Sequence, residues 1–204
     1  MAELLTLGIS ETKRKQFKII TYDLQDKSFV PLLLNKTDFF DKEGNVIWDL
    51  FAITKVENYK KPNKYLYEVE GQTQLVKYLT KSEMKDFFDE RKIKAKRFFN
   101  SRKVYGIVQA RAPIILHYPQ RDQNGRLTHR IDMISGLDRY ERILIKDYRW
   151  LSYWEKLPSS LYEEKIKKWE TFFTESDKSI YLLFYRHTFS NGNQRAWIAG
   201  FHCI

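Results

Sequence analysis

The chain has 204 residues, 43% of them hydrophobic and 16% aromatic, enough apolar material for one sizeable domain or two small ones that fold without cross-links. Its single cysteine, Cys203, excludes an intramolecular disulfide, and no CxxC or Cys/His spacing marks a zinc site. The formal net charge of +10 favours an anionic partner, while the lack of a signal-peptide pattern or a long apolar run predicts a soluble, cytoplasmic protein with no membrane partner.

Short extended segments rich in β-branched and aromatic residues dominate the first third. LLTLGIS (4–10), QFKIITYDL (16–24) and SFVPLLL (28–34) read as strands, with a turn at Gln25-Asp26-Lys27. In the second of these, Phe17, Ile19, Thr21 and Asp23 alternate with Lys18, Ile20, Tyr22 and Leu24, as expected of a strand covered on both faces. The turn Asp41-Lys42-Glu43-Gly44-Asn45 feeds VIWDLFAI (46–53), and Lys60-Lys61-Pro62-Asn63-Lys64 separates VENY from the alternating KYLYEVE (64–70).

The pattern then becomes helical. Thr80 with Glu83 is a capping box, and it opens a helix near 81–95 whose buried stripe holds Met84, Phe87, Phe88 and Ala95. Its end runs into RKIKAKRFFNSRK (91–103), which carries seven basic side chains and no acidic one. A run of this kind either keeps a surface solvated or draws phosphate.

A second β-rich half follows: VYGIVQARAPIILHYP (104–119), the Asn124-Gly125 turn, RLTHRIDMI (126–134) and YERILIKDY (140–148). Ser160 with Glu163 reads as a second capping box, opening a helix over 160–174 in which Tyr162, Ile166, Trp169 and Phe173 form one apolar stripe. SIYLLFYRHTF (179–189) and RAWIAGFHCI (195–204), joined by Ser190-Asn191-Gly192-Asn193-Gln194, close the chain as a hairpin.

The repeated order of strands and helix predicts a mainly β fold with inserted helices, two small OB-like β-barrels in tandem. The expected division is 1–78 for the first barrel, 79–103 for a helix and basic connector, and 104–204 for the second barrel. In order along the chain, "LGISETKRK", "VIWDLFAITKVENY", "SRKVYGIVQA", "LIKDYRW" and "YLLFYRHTFSNGNQRAWIAGFHCI" together resemble the dual OB-containing domain family of bacterial proteins. Ile9 stands where that family has an asparagine before the serine, and "KDY" replaces its valine-threonine-aspartate. The resemblance implies a component of a bacterial genome-conflict or nucleic-acid-handling system, with no defined catalytic activity.

The aromatic cluster KDYRWLSYW (146–154) has two readings. If the preceding strand continues to Trp150, period two puts Tyr148 and Trp150 on one face, where rings could stack on unpaired bases. Alternatively Trp150 and Trp154 wedge the following helix, through Trp169, against its barrel, leaving Tyr148, Arg149 and Tyr153 exposed. The four histidines are scattered, the aspartates show no convergent spacing, and neither a phosphate loop nor a nucleophile with a partner is present, so no catalytic residue, metal or cofactor is expected and an enzyme is disfavoured. Two classes remain open, with an unrecognised hydrolase third. One is a nucleic-acid-binding module for single-stranded DNA or RNA, or for ends, built on Lys94, Lys96, Arg97, Arg102, Lys103, Tyr148, Arg149 and Tyr153. The other is a protein-interaction or nucleotide-signal sensor of a defence system, whose partner is an effector protein.

Overall fold

The structure, a computed structural model, describes residues 1–12, 16–41, 43–60, 66–189 and 191–204. Lys42 of the expected first-half turn, Lys61 to Lys64 of the connection before KYLYEVE, and Ser190 of the last hairpin lie outside them, as do Lys13, Arg14, Lys15 and Tyr65. The chain divides into two units, Met1–Met84 and Lys85–Ile204.

The first unit is an antiparallel sheet of β1 (Ala2–Glu11), β2 (Phe17–Asp23), β3 (Ser28–Leu34), β4 (Ala52–Lys60) and β5 (Glu68–Tyr78), in the order β3-β2-β1-β4-β5. It closes where Leu32 bridges Tyr67 in parallel, with the Tyr67 N–H donating to Pro31 O at 2.8 Å. Third strand beside fifth and parallel to it, with the first pairing both second and fourth, is the OB order. Phe17, Ile19, Val30, Leu32 and Val56 point into the barrel because period-two alternation gives each strand one inner face. The turn between β2 and β3 is held by Asp23, whose Oδ1 accepts from the N–H groups of Gln25 and Asp26.

VIWDLFAI is not the strand that its apolar run suggests. Ile47, Trp48 and Leu50 are buried and pack into the barrel core, Phe51 takes a φ of +66°, and β4 begins only at Ala52. The Thr54 hydroxyl ties this plug to its strand by donating to Ile47 O. The aromatic and branched residues here fill the space left by strand curvature, a use that propensity cannot distinguish from a strand.

Helix α1 (Lys81–Arg91) opens on the expected capping box: Glu83 Oε2 accepts from Thr80 N–H at 2.7 Å, and Glu83 N–H donates to Thr80 Oγ1 at 3.3 Å. It stops short of Ala95. Lys92 forms a parallel bridge with Ile107 and Ile93 N–H donates to Ile107 O, so the chain turns extended before restarting as α2 (Ala95–Phe99). The strand pairing replaces helical bonds at the point where the basic run begins.

The second unit holds β6 (Tyr105–Leu116), β7 (Gln120–Arg121), β8 (Leu127–Ser135), β9 (Asp138–Ile145), α3 (Tyr148–Glu155), α4 (Tyr162–Glu175), β10 (Ile180–Thr188) and β11 (Gln194–Cys203). β6 pairs with β8 and β10, β8 with β9, β10 with β11, and β11 meets β9 in parallel at Ile198 and Ile145. With β6, β8, β9, β10 and β11 as strands one to five, the OB order recurs, and the two long helices occupy the crossover between strands three and four. Gly106 lets α2 approach β6 closely, since a Cβ there would sit 2.6 Å from the Phe98 ring.

The segment after β9 departs from the expected strand. β9 ends at Ile145, and Asp147 caps α3 by accepting from Trp150 N–H at 3.0 Å. Tyr148 and Trp150 therefore do not share a strand face. Trp150 and Trp154 instead fall on one side of a helix and are buried, with Trp150 packed on Trp169 at 5.1 Å and on Phe201 at 4.7 Å. The second capping box is absent as well. Pro158 starts a 3₁₀ turn over Ser159–Leu161, α4 follows from Tyr162, and Glu163 pairs with Lys167. The stripe of α4 packs as expected, Tyr162 and Phe173 buried and Ile166 and Trp169 partly so.

Candidate nucleic-acid interface

Lys94, Lys96 and Arg97 are exposed on and beside α2, while Ala95 and Phe98 are buried, so the basic run presents its charge on one side of a short helix. Arg102 and Lys103 are exposed in the connector to β6. None of these five side chains has an ion-pair partner among the described residues. Arg186 fixes the segment from beneath, its Nη2 donating to Phe98 O at 2.7 Å and its Nε to Lys103 O at 3.2 Å.

Tyr148, Arg149 and Tyr153 are exposed on α3. They are not brought to the basic run. Phe99 of α2 stacks on Tyr140 at the start of β9, whereas α3 begins beyond that strand's far end. Five strand steps separate Tyr140 from Ile145, on the order of 15 Å.

A different set of rings meets the basic connector. On the outer face of the second barrel Tyr105 of β6 stacks on Tyr185 of β10 at 5.4 Å, and His187 stacks on Trp197 of β11 at 4.9 Å with 14° between the planes. Tyr185 lies 6.0 Å from Trp197, and Phe189, beginning the loop after β10, sets its edge on His187 at 4.7 Å. All five side chains are half-buried, so part of each remains open to solvent. Antiparallel register produces the row: Tyr105 faces Tyr185, and Tyr185 faces Trp197. Lys146, just past β9, holds its Nζ 5.8 Å above the Trp197 ring, and exposed Arg195 pairs in register with His187. At the other end Lys103 lies two residues before Tyr105, and Arg186 N–H donates to Val104 O.

Beside this row, where the loop between β6 and β8 folds back, His117, Tyr118, Gln120, Thr128, Arg130 and Arg142 line a cleft of about 240 Å³. Two of these residues are tied to Asp132, which is not itself part of the lining: it binds His117 Nε2 at 2.6 Å and the Arg142 N–H at 2.8 Å, and also Arg139 Nη2 at 3.0 Å. Burial alone would raise that carboxyl, but the Arg142 amide, His117 and Arg139 together hold it down to about 2. Arg142 adopts a φ of +52°, and the Arg130 guanidinium donates to its carbonyl at 3.2 Å.

Burial pushes the Cys203 thiol up to about 11, which keeps it protonated and inert at neutral pH. Among the described residues no three His, Cys, Asp or Glu side chains are grouped to hold a metal, and no helix is long and apolar enough to cross a membrane.

Sequence reading missed Tyr105, Tyr185, His187, Phe189, Trp197, Lys146, Arg130 and Arg142. The alternation of Tyr185 and His187 in the last hairpin, facing Trp197 across it, was the available signal.

No family model and no curated protein matches the chain. Three solved chains match. One is the crystal structure of the tetrameric p202 HIN2, 9% identical over 99% of this chain and 90% of that one, with a TM-score of 0.38. A likeness at that level carries no argument about function.

Proposed function

We propose that the chain is a non-catalytic nucleic-acid-binding module that holds single-stranded DNA or RNA across the outer face of its second barrel. The observation that carries this reading is the row Tyr105, Tyr185, His187 and Trp197, with Lys146 over its last ring and unpaired Arg102 and Lys103 at its first. Half-open rings offer π-faces to bases that are not already stacked in a duplex, and flanking cations neutralise the backbone. Lys94, Lys96 and Arg97 extend the positive flank. OB barrels commonly hold oligonucleotides on the face of strands two and three with the loops between strands one and two and between four and five; this row lies instead on strands one, four and five, and reaches the last of those loops at Phe189. Two barrels of OB order in one chain also support the proposed membership of the dual OB-containing domain family, and with it a role in bacterial defence or nucleic-acid handling.

Titration of a fluorescent single-stranded oligonucleotide tests the reading. Trp197→Ala should weaken binding by roughly 1–3 kcal/mol, the range for one lost stacking platform. Tyr153→Ala, on α3, should leave it unchanged. Absence of binding by the unaltered protein at a low salt of about 50 mM, where phosphate contacts are strongest, would sink the proposal.

A further inference from the structure

We infer that the cleft formed by His117, Tyr118, Gln120, Thr128, Arg130 and Arg142 is a phosphomonoester site, which receives the terminal phosphate of the bound strand; the identity of the strand rests on the function proposed above. The charge of the cleft is the first reason. Neither the Arg130 nor the Arg142 guanidinium has a carboxylate partner among the described residues, and Arg130 spends one donor on the Arg142 carbonyl. The nearby carboxylates do not cancel this charge, because Asp132 and Glu141 share the Arg139 guanidinium and the group as a whole keeps a positive excess. Two arginines lining one small recess suit a group with several oxygens and more than one negative charge. A phosphomonoester meets that condition better than the singly charged diester of a continuing backbone.

Preorganisation is the second reason. The Arg142 backbone is held at φ +52°, a conformation that costs an arginine energy and that is fixed by the Asp132 carboxylate on its N–H and by Arg130 on its carbonyl. Thr128 and Gln120 are joined through the Thr128 hydroxyl and the Gln120 carbonyl at 2.9 Å, and the Tyr118 hydroxyl is anchored on Ser159 O at 3.0 Å. The walls are thus set before a ligand arrives.

Size and placement complete the case. About 240 Å³ is below the roughly 300–1,000 Å³ of clefts that enclose whole drug-sized ligands, so the recess admits an end group and not a dinucleotide. Arg130 pairs in register with Leu144, two residues before Lys146, so the cleft adjoins the cation above Trp197. On its other side the folded-back loop pairs Gln120 with Thr128 and walls the path a continuing strand would take.

The test measures binding of one oligonucleotide sequence carrying a 5′-phosphate, a 3′-phosphate or hydroxyls at both ends, together with adenosine monophosphate alone, to the full chain and to Arg130→Gln and Arg142→Gln. One phosphorylated end should bind at least about tenfold tighter than the hydroxyl form, and both variants should bring that ratio to about one. Trp197→Ala should weaken both forms and preserve the ratio. Equal affinity for all three oligonucleotides overturns the terminal-phosphate site while leaving the strand-binding reading intact. Arginine-dependent binding of the mononucleotide without any oligonucleotide binding keeps the phosphomonoester site and removes the strand. A phosphate preference that survives in both arginine variants assigns it elsewhere and overturns the inference. Should either glutamine variant melt far below the parent, Arg130→Lys, which keeps charge but loses the fork, should show an intermediate ratio.

Discussion

The indole N–H of Trp150 donates to Nδ1 of His129 at 2.8 Å, and His129 Nε2 sits 2.7 Å from the carbonyl of His117. This pair of bonds fixes a single neutral tautomer, with the proton on Nε2, because Nδ1 must present its lone pair to the indole. A helix residue, a buried strand residue and the mouth of the cleft are thereby locked together. A second proton on the imidazole would set two N–H groups against each other.

Acid should therefore destabilise the second barrel in a defined window. Burial lowers the His129 pKa to about 4, from 6.5. A group depressed on folding takes up protons first in the unfolded chain, so its contribution is full above pH 6.5 and is lost as pH falls through about 4. The loss is on the order of 3 kcal/mol. Burial raises the Asp147 carboxyl, and a raised group works in the opposite sense, contributing below its unfolded pKa and less as pH rises. Urea midpoints measured from pH 7 down to pH 4 should fall for the parent protein, and should fall less steeply for His129→Gln, which keeps an acceptor but cannot titrate. Parallel curves would remove His129 as the source.

Asp147 has a second role besides capping. Its Oδ1 accepts from Trp150 N–H and its Oδ2 from Phe201 N–H at 2.9 Å, so one carboxylate starts α3 and pins it to β11. Asp147→Ala should cost roughly 2–4 kcal/mol, the lost cap plus an unsatisfied amide. Asp147→Asn retains one acceptor and should cost less than the alanine change. Chemical denaturation of the two variants settles the order, and a loss under about 1 kcal/mol for alanine would show that solvent satisfies the freed amides.

This same aspartate marks where the sequence was legible and where it was not. Strands such as Phe17–Asp23 were readable because both faces are covered, so branched and aromatic residues dominate a short run that ends in turn residues. At 147–154 the β-forming aromatic residues masked a helix whose evidence was only a capping aspartate and two tryptophans four apart. Ile47 and Trp48 misled for the reverse reason, an apolar run that plugs a barrel instead of pairing. The aromatic row was harder still. Tyr105 lies eighty residues before Tyr185, and only the β6–β10 register makes them neighbours. Charge in the connector was visible in composition, but which rings it would meet depended on topology.

Trp154 and Trp169 separate burial from contact number. Trp154 is fully buried against His129 and Tyr162, while Trp169 is only partly covered, although its ring meets Trp150, Phe172 and Phe173. Trp154→Ala should cost roughly 3–5 kcal/mol, and Trp169→Ala about half of that because less apolar surface returns to water. Equal losses in denaturant midpoints would mean that α4 is held by its ring contacts more than by buried area.

Salt dependence divides the proposed interface into its charged and stacking parts. Each phosphate neutralised on a single strand contributes about −0.7 to the slope of log affinity against log salt, because condensed counterions are released. Arg102 and Lys103 adjoin Tyr105 and have no competing ion pair, so replacing both by alanine should flatten the slope by about 1.4. Replacing Lys96 and Arg97 should flatten it less, since they belong to α2 and not to the connector that leads into Tyr105. Tyr185→Ala should lower affinity by roughly 1–3 kcal/mol at every salt concentration and leave the slope unchanged. Tyr148→Ala, on α3 beyond Lys146 and outside the row on β6, β10 and β11, should change neither quantity. If instead Tyr148 governs affinity and Tyr185 does not, the bound strand follows α3, and the aromatic row on β6, β10 and β11 is only a packed surface.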